Sequence, residues 1–71
     1  MLAHYYKDGR YIETSHVAAD LFAKFPHLRD GLATRMTTVL DFPEYIESSD
    51  VLAMEMLDHI AENYDVIGGG A

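Results

Sequence analysis

The dipeptide Asp8-Gly9 lies between two runs of residues that favour β-strands, Tyr5-Tyr6 and Tyr11-Ile12. Both turn residues tolerate the positive φ angles of a two-residue type I′ turn, so the segment predicts a β-hairpin. A lone hairpin is only marginally stable in water, so one of its faces should pack on helices. Alternation along the strands then places His4, Tyr6, Tyr11 and Glu13 on one face and Ala3, Tyr5 and Ile12 on the other.

A first helix is predicted directly after the hairpin. Ser15 is a suitable N-cap, because its hydroxyl can accept hydrogen bonds from the free amides of a first helical turn. Pro26 should end this helix near Phe25, because proline disfavours α geometry in the residue before it. Between these limits the apolar residues recur at helical spacing: Val17, Ala18, Leu21, Phe22 and Phe25.

Residues 26–40 are compatible with two structures. The spacing of their apolar residues fits a second helix that begins at Pro26, whereas Gly31 weakens that helix and residues 37–40 favour a strand. We expect a helix up to about residue 36, with a third strand near residues 37–40 as the alternative to further helix.

The clearest element is a helix from Val51 to Tyr64. Ser48 and Ser49 offer N-caps, and Asp50 interacts favourably with the positive end of the helix dipole. The residues available for burial recur at helical spacing: Leu52, Ala53, Met56, Leu57, Ile60, Ala61 and Tyr64.

These elements predict an α+β fold in which an N-terminal β-hairpin packs against two or three short α-helices. The 71 residues are enough for one domain, which we place at residues 1–67, and the glycine run predicts a flexible tail at residues 68–71. The chain has no cysteine, which excludes disulfides, zinc-thiolate sites and cysteine nucleophiles and suits a reducing cytoplasm. We expect no membrane-spanning segment and no secretion signal, and therefore a cytoplasmic protein, in the host cell if the gene is carried by a phage.

The negative charge is concentrated near the C-terminus. Residues 41–71 contain eight acidic residues and no Lys or Arg, which gives this segment a charge of −8. Such a field repels nucleic acid and attracts basic surfaces. Four of the acids follow one another at spacings of three and four residues and predict an acidic stripe on the last helix: Glu55, Asp58, Glu62 and Asp65. The stripe is compatible with a solvated face or with a contact surface for Lys and Arg side chains.

Tyr6 and Tyr11 form a second candidate surface if they lie on the solvent face of the hairpin. Tyrosine is enriched at protein interfaces because it buries a large area at little entropic cost. The alternative is a cross-strand pair that covers the core.

Metal binding and catalysis have weaker support. Glu55, His59 and Glu62 share one helix face, but their spacing matches neither zinc-peptidase nor carboxylate-bridged motifs. The serines lie where helix caps are expected, and the glycines do not form a phosphate loop. We therefore expect no enzymatic activity, no cofactor and no metal. A metal-dependent or acid/base enzyme is the remotest alternative.

The leading hypothesis is a small acidic protein-binding module that docks on a basic protein surface, such as those of nucleic-acid-handling proteins. Its size, acidity and lack of catalytic motifs make it similar in general profile to the small inhibitors that phages make against host machinery, including anti-CRISPR proteins. We expect no direct contact with nucleic acid, because three basic residues between positions 15 and 40 supply little phosphate affinity. The second hypothesis is a structural or regulatory subunit, such as a homodimer or an antitoxin-like component, held together by the last helix.

Overall fold

The computed structural model describes residues 2–26 and 36–70 of the chain. Three strands form one antiparallel sheet in the order β2-β1-β3, and helices pack on one of its faces. The architecture is therefore α+β with an N-terminal hairpin and a helix near the C-terminus, as predicted. Its elements are β1 (His4–Lys7), β2 (Arg10–Ile12), α1 (Thr14–Lys24), α2 (residues 36–41), a 3-10 turn (Pro43–Tyr45), α3 (Val51–Asn63) and β3 (Asp65–Ile67).

The hairpin has the predicted turn and register. Asp8 has a φ of 53° and Gly9 a φ of 77°, both positive as a type I′ turn requires. The side chains also divide as expected, because Tyr5 is fully buried whereas Tyr11 is 54% exposed. The cross-strand pairs are Tyr5–Ile12, Tyr6–Tyr11 and Lys7–Arg10.

Helix α1 begins two residues earlier than the predicted N-cap at Ser15 implies. The cap residue is Glu13, not Ser15, and no side chain caps the helix. The carbonyl oxygen of Glu13 accepts hydrogen bonds from the amides of His16 and Val17, at 2.9 and 3.2 Å. Only Glu13 separates β2 from α1, so the chain turns directly from strand to helix and leaves Ser15 inside the first turn. The helix ends at Lys24, with Phe25 as its C-cap, where the following proline predicted an end.

Residues 37–40 are helical, so the strand is the wrong one of the two structures that the sequence left open for this segment. The amide of Phe42 donates to the carbonyl oxygen of Thr38 at 2.9 Å, a helical hydrogen bond. Met36, Val39 and Leu40 are buried. Their spacing of three and one places them on one helix face, and this packing outweighs the strand preference of the threonines. The predicted helix between residues 27 and 35 lies outside the described residues.

The third strand is β3, at the C-terminal end of the chain. It pairs antiparallel with β1, so that β1 is the central strand. Val66 and Ile67 are β-branched and favour a strand, although a run of three residues is too short to predict with the alternation rule. The pairs are His4–Ile67, Tyr5–Val66 and Tyr6–Asp65.

Helix α3 begins after Asp50, whose side-chain oxygen accepts from the amide of Ala53 at 3.3 Å. Asp50 is therefore the N-cap, and the prediction that Ser48 or Ser49 caps this helix is wrong. At the other end Tyr64 is extended, with φ −136° and ψ 152°, so the helix ends at Asn63.

The core lies between the sheet and the three helices. Its largest fully buried side chain is that of Tyr5, whose hydroxyl donates to the backbone carbonyl oxygen of Leu40 at the end of α2. Among the described residues no buried side-chain polar atom lacks a partner. The buried apolar residues are Ala3, Tyr5, Val17, Leu21, Met36, Val39, Leu40, Ala53, Met56 and Ile60.

The glycine run packs closely against the 3-10 turn. Gly69 and Gly70 are buried, and the carbonyl oxygen of Gly69 accepts from the amide of Glu44 at 3.2 Å. Gly69 has a φ of +90°, and a Cβ built there would lie 2.7 Å from Cδ of Pro43 and 3.0 Å from Cβ of Ala3. Only glycine therefore fits this position without displacing its neighbours. Close packing does not measure motion, so the flexible tail at residues 68–71 stays a prediction.

Gly69→Ala should destabilise the domain by about 2–5 kcal/mol, because it combines left-handed backbone strain with overpacking. Gly9→Ala is the matched control: its φ is also positive, but a Cβ there meets nothing within 4 Å. The control should cost only the backbone term of about 1–2 kcal/mol. Urea unfolding of the two variants measures the difference, and equal losses would contradict the close packing at Gly69.

Candidate functional site

Three residues of the acidic stripe lie on α3, as predicted. Glu55, Asp58 and Glu62 are all exposed there. The prediction that Asp65 continues the stripe on the helix is wrong, because α3 ends at Asn63 and Asp65 is the first residue of β3. Asp65 is exposed beside the end of α3.

The stripe borders an open depression of about 430 Å³ between the end of α1 and α3. Lys24 and Phe25 form its α1 side, and Lys24 is the only Lys or Arg among its described lining residues. The α3 side consists of Glu55, Asp58, His59, Glu62 and Asn63.

A second depression, of about 320 Å³, connects the stripe to the sheet. Glu62 and Asn63 line both depressions, so the two are adjacent. Tyr6 and Asp65, which are cross-strand partners, line the second one. The remaining lining residues are Lys7, Asp8, Ala61 and Tyr64.

The two predicted patches are thus neighbours, because Tyr11 lies directly beside Tyr6. The rings of Tyr6 and Tyr11 meet edge to face, with centroids 5.7 Å apart, and the His4 ring lies 6.2 Å from that of Tyr11. All three side chains lie on the sheet face opposite the buried Tyr5. The structure brings the six predicted interface residues into one continuous region: Glu55, Asp58, Glu62, Asp65, Tyr6 and Tyr11.

The carboxylates of the stripe are not neutralised within the described part of the chain. None of Lys7, Arg10 and Lys24, the cations in residues 2–26 and 36–70, forms an ion pair with them. The ammonium of Lys7 instead lies over the Tyr64 ring, 5.6 Å from its centroid. Within the described residues these carboxylates therefore have no Lys or Arg partner.

Beneath the stripe, Asp20 of α1 connects two residues from the end of α3. One oxygen of Asp20, Oδ2, lies 3.0 Å from Nε2 of His59 and accepts from the Tyr64 hydroxyl at 2.8 Å. Desolvation raises the pKa of Asp20, but hydrogen bonds from His59 and Tyr64, with the nearby charges of His59 and Lys7, outweigh it and hold the pKa below its ordinary value. Burial, together with the bond and charge of Asp20, raises the pKa of Tyr64 to about 12.

The contacts of His59 engage both nitrogens of its ring. An ionised carboxylate can only accept, so Nε2 of His59 carries the proton that it donates to Asp20. Nδ1 lies 3.4 Å from Nδ2 of Asn63, and the same amide group also donates to the His59 carbonyl oxygen at 2.8 Å. Both ring nitrogens are engaged, so His59 offers none to a metal ion or a substrate in this arrangement.

Asp20 was missed by the sequence reasoning. It lies 39 positions from His59 in the chain, and no local pattern joins two residues so far apart. The Glu55, His59 and Glu62 triplet shares a helix face, but His59 turns towards Asp20. Within residues 2–26 and 36–70, no group of three or more His, Asp or Glu side chains is arranged to hold a metal ion.

Comparison with known proteins leaves the chain without an assigned family. No protein-family model, no curated protein and no solved structure matches it. In the described residues, no helix has the length and apolar character needed to cross a membrane.

Asp20→Asn should destabilise the protein by about 1 kcal/mol at neutral pH, because it weakens hydrogen bonds to a carboxylate that solvent partly screens. The folded-state pKa of Asp20 is lowered, so its contribution is present above the ordinary carboxyl pKa and is lost as pH falls through the folded value. Urea unfolding at neutral and acidic pH should show the difference from wild type shrinking in acid. Asp58→Asn, at an exposed acid, is the control, and a pH-independent loss in Asp20→Asn would contradict this account.

Alkaline pH should destabilise the fold through two tyrosines. Burial, with the charge of Asp41, raises the pKa of Tyr5 to about 12, and Tyr64 has a similar value. These values exceed the ordinary 10.0, so the stability is fully present below pH 10 and falls between about pH 10 and 12. Tyrosinate absorbance should show that two tyrosines lose their protons near pH 12 in the wild type and that only one does so in Tyr64→Phe. An unchanged late phase in that variant would refute the assignment.

Proposed function

We propose that this chain is a small protein-binding module that docks on a basic protein surface through the acidic stripe and the adjoining tyrosines. The observation that carries this proposal is the continuity of the surface at Glu62. Four exposed carboxylates adjoin a tyrosine pair in which Tyr6 is half-buried and Tyr11 is exposed. Carboxylates provide charge complementarity and fast association, while tyrosines provide buried area, and protein interfaces combine the two.

The charge distribution supports a basic partner. Residues 41–71 contain no Lys or Arg to offset their eight acids, and they include the whole of α3 and β3. A basic partner gains from this field at a distance as well as in contact, whereas nucleic acid is repelled by it. The finer form of the proposal is an inhibitor that covers the basic surface of a nucleic-acid-handling protein, as phage-made inhibitors such as anti-CRISPR proteins do.

The apolar face of α3 argues against the alternative of a permanent subunit interface built from that helix. Ala53, Met56 and Ile60 are buried inside this domain, at 0%, 0% and 2% exposure. They are therefore used by the fold itself and are not available to a second chain.

The test compares two double variants with the same change in net charge. Asp58→Asn/Glu62→Gln neutralises the centre of the stripe, and Glu13→Gln/Glu47→Gln neutralises two exposed acids outside it. Binding to poly-L-lysine at physiological salt should weaken about fivefold or more in the stripe variant, on the scale of about 0.5–1 kcal/mol per exposed charge pair. The control should bind nearly as the wild type does.

Salt dependence provides a second readout. Association through the stripe should weaken steeply as salt rises, and the slope should be smaller for the stripe variant than for the control. Equal effects of the two variants would mean that net charge acts alone, and the proposal of a defined acidic surface would be wrong.

A further inference from the structure

We infer that the free edge of β3 is a strand-addition site, where an extended basic segment of the partner pairs with Val66 and inserts an apolar side chain beside α3. This inference rests on the proposed function, because it describes how the same partner is held. It adds a directional backbone interaction to the charged surface.

The orientation of the Val66 backbone follows from the hairpin. In a two-residue hairpin the residues that flank the turn, Lys7 and Arg10, form a hydrogen-bonded pair. Pairing alternates along an antiparallel ladder, so the backbone groups of Tyr6 point away from β2 and towards β3. Tyr6 opposes Asp65 in that ladder, and Val66 opposes Tyr5 as a pair without hydrogen bonds.

The amide N–H and the carbonyl of Val66 therefore point out of the sheet. Beyond β3 the sheet has no further strand among the described residues. An outward donor and acceptor on an exposed strand are a template for pairing with another chain. Val66 and Ile67 add exposed apolar surface to this edge, at 38% and 56% exposure.

An apolar groove lies under the same edge. It has a volume of about 270 Å³, and the Val66 side chain lines it. In an added strand, the residue opposite Val66 projects to the same face of the sheet as Val66 does. That residue would enter the groove, whose other lining residues are Tyr5, Pro43, Glu44, Leu57, Ile60, Ala61 and Gly68.

The charges around the groove select a basic segment. Asp65 projects to the outer face of β3, where it would meet the side chain next to the inserted one, and Glu44 lines the groove itself. A partner strand with an apolar residue flanked by Lys or Arg matches this arrangement. A second copy of the chain matches it poorly, because antiparallel pairing at Val66 would bring two segments of charge −8 together.

The experiment uses the peptide Lys-Val-Lys-Val-Lys, blocked at both ends, and the same peptide N-methylated at both valines. The first peptide should bind the wild type and shift the methyl NMR signals of Leu57 and Ile60. The methylated peptide has the same charge but cannot donate to the carbonyl of Val66. Its affinity should be lower by at least about fivefold, which corresponds to the loss of one hydrogen bond. This comparison requires no change in the protein.

Two substitutions test the edge from the protein side. Val66→Pro removes the outward N–H and leaves the bonds to β1 intact, as proline does on edge strands. It should weaken binding of the unmethylated peptide about fivefold or more, with thermal melting as the check on folding. Val66→Thr keeps the N–H and the β-branched shape, so it should weaken binding less than Val66→Pro does.

The outcomes separate this inference from the proposed function. If both peptides bind equally well, or neither binds, strand addition is wrong. If Val66→Pro binds normally while Asp58→Asn/Glu62→Gln binds weakly, the acidic surface stands and the strand site falls. In sedimentation without peptide, the wild type could have twice the mass of a single chain while Val66→Pro has the mass of one. That result would show that a second copy occupies the edge, and it would overturn the assignment of a basic partner.

Discussion

Tyr5 is the residue on which the arrangement of the elements depends. It lies in the central strand, pairs with Ile12 on one side and Val66 on the other, and is fully buried. Its hydroxyl reaches the end of α2 at Leu40, and its ring forms a T-shaped pair with the Tyr64 ring at a centroid distance of 6.4 Å. Sheet, α2 and the end of α3 are therefore joined at one side chain. This buried hydrogen bond favours one packing of Tyr5, because any other packing would leave the Tyr5 hydroxyl without its acceptor and the Leu40 carbonyl without this donor.

Asp20 plays a comparable part for the candidate surface. By accepting from His59 and Tyr64 it holds α1 against the last turn of α3, the turn that carries Glu62. The rotation of α3 determines which of its residues face solvent, so this contact helps to direct the acidic stripe outwards. The chain thus uses one partly buried carboxylate to position a row of exposed ones. Within the described residues the carboxylates of the stripe have no such hydrogen bonds, and they are exposed.

The sequence predicted what depends on local patterns. The Asp8-Gly9 turn determined the hairpin register, and the apolar spacing after Asp50 determined α3, because both signals act over a few residues. The sequence left strand and helix open for residues 37–40, and the burial of Val39 and Leu40 in a helix overrides the strand preference of the neighbouring threonines. The third strand and the Asp20 contacts join residues about 40 to 60 positions apart, and a single sequence contains no signal for such pairing. The six candidate interface residues were named from the sequence, but their continuity through Glu62 depends on where β3 places Asp65 beside Tyr6.

The order of the strands has a consequence for how the chain reaches this fold during synthesis. The central strand is the first to leave the ribosome, and one of its two neighbours, β3, is the last. The hairpin and α1 can form early from local contacts, whereas the sheet closes only after β3 (Asp65–Ile67) has emerged. Until then the side of β1 that later pairs with β3 is itself an open edge. The rate at which the C-terminal segment arrives therefore sets how long nascent chains expose that edge to one another.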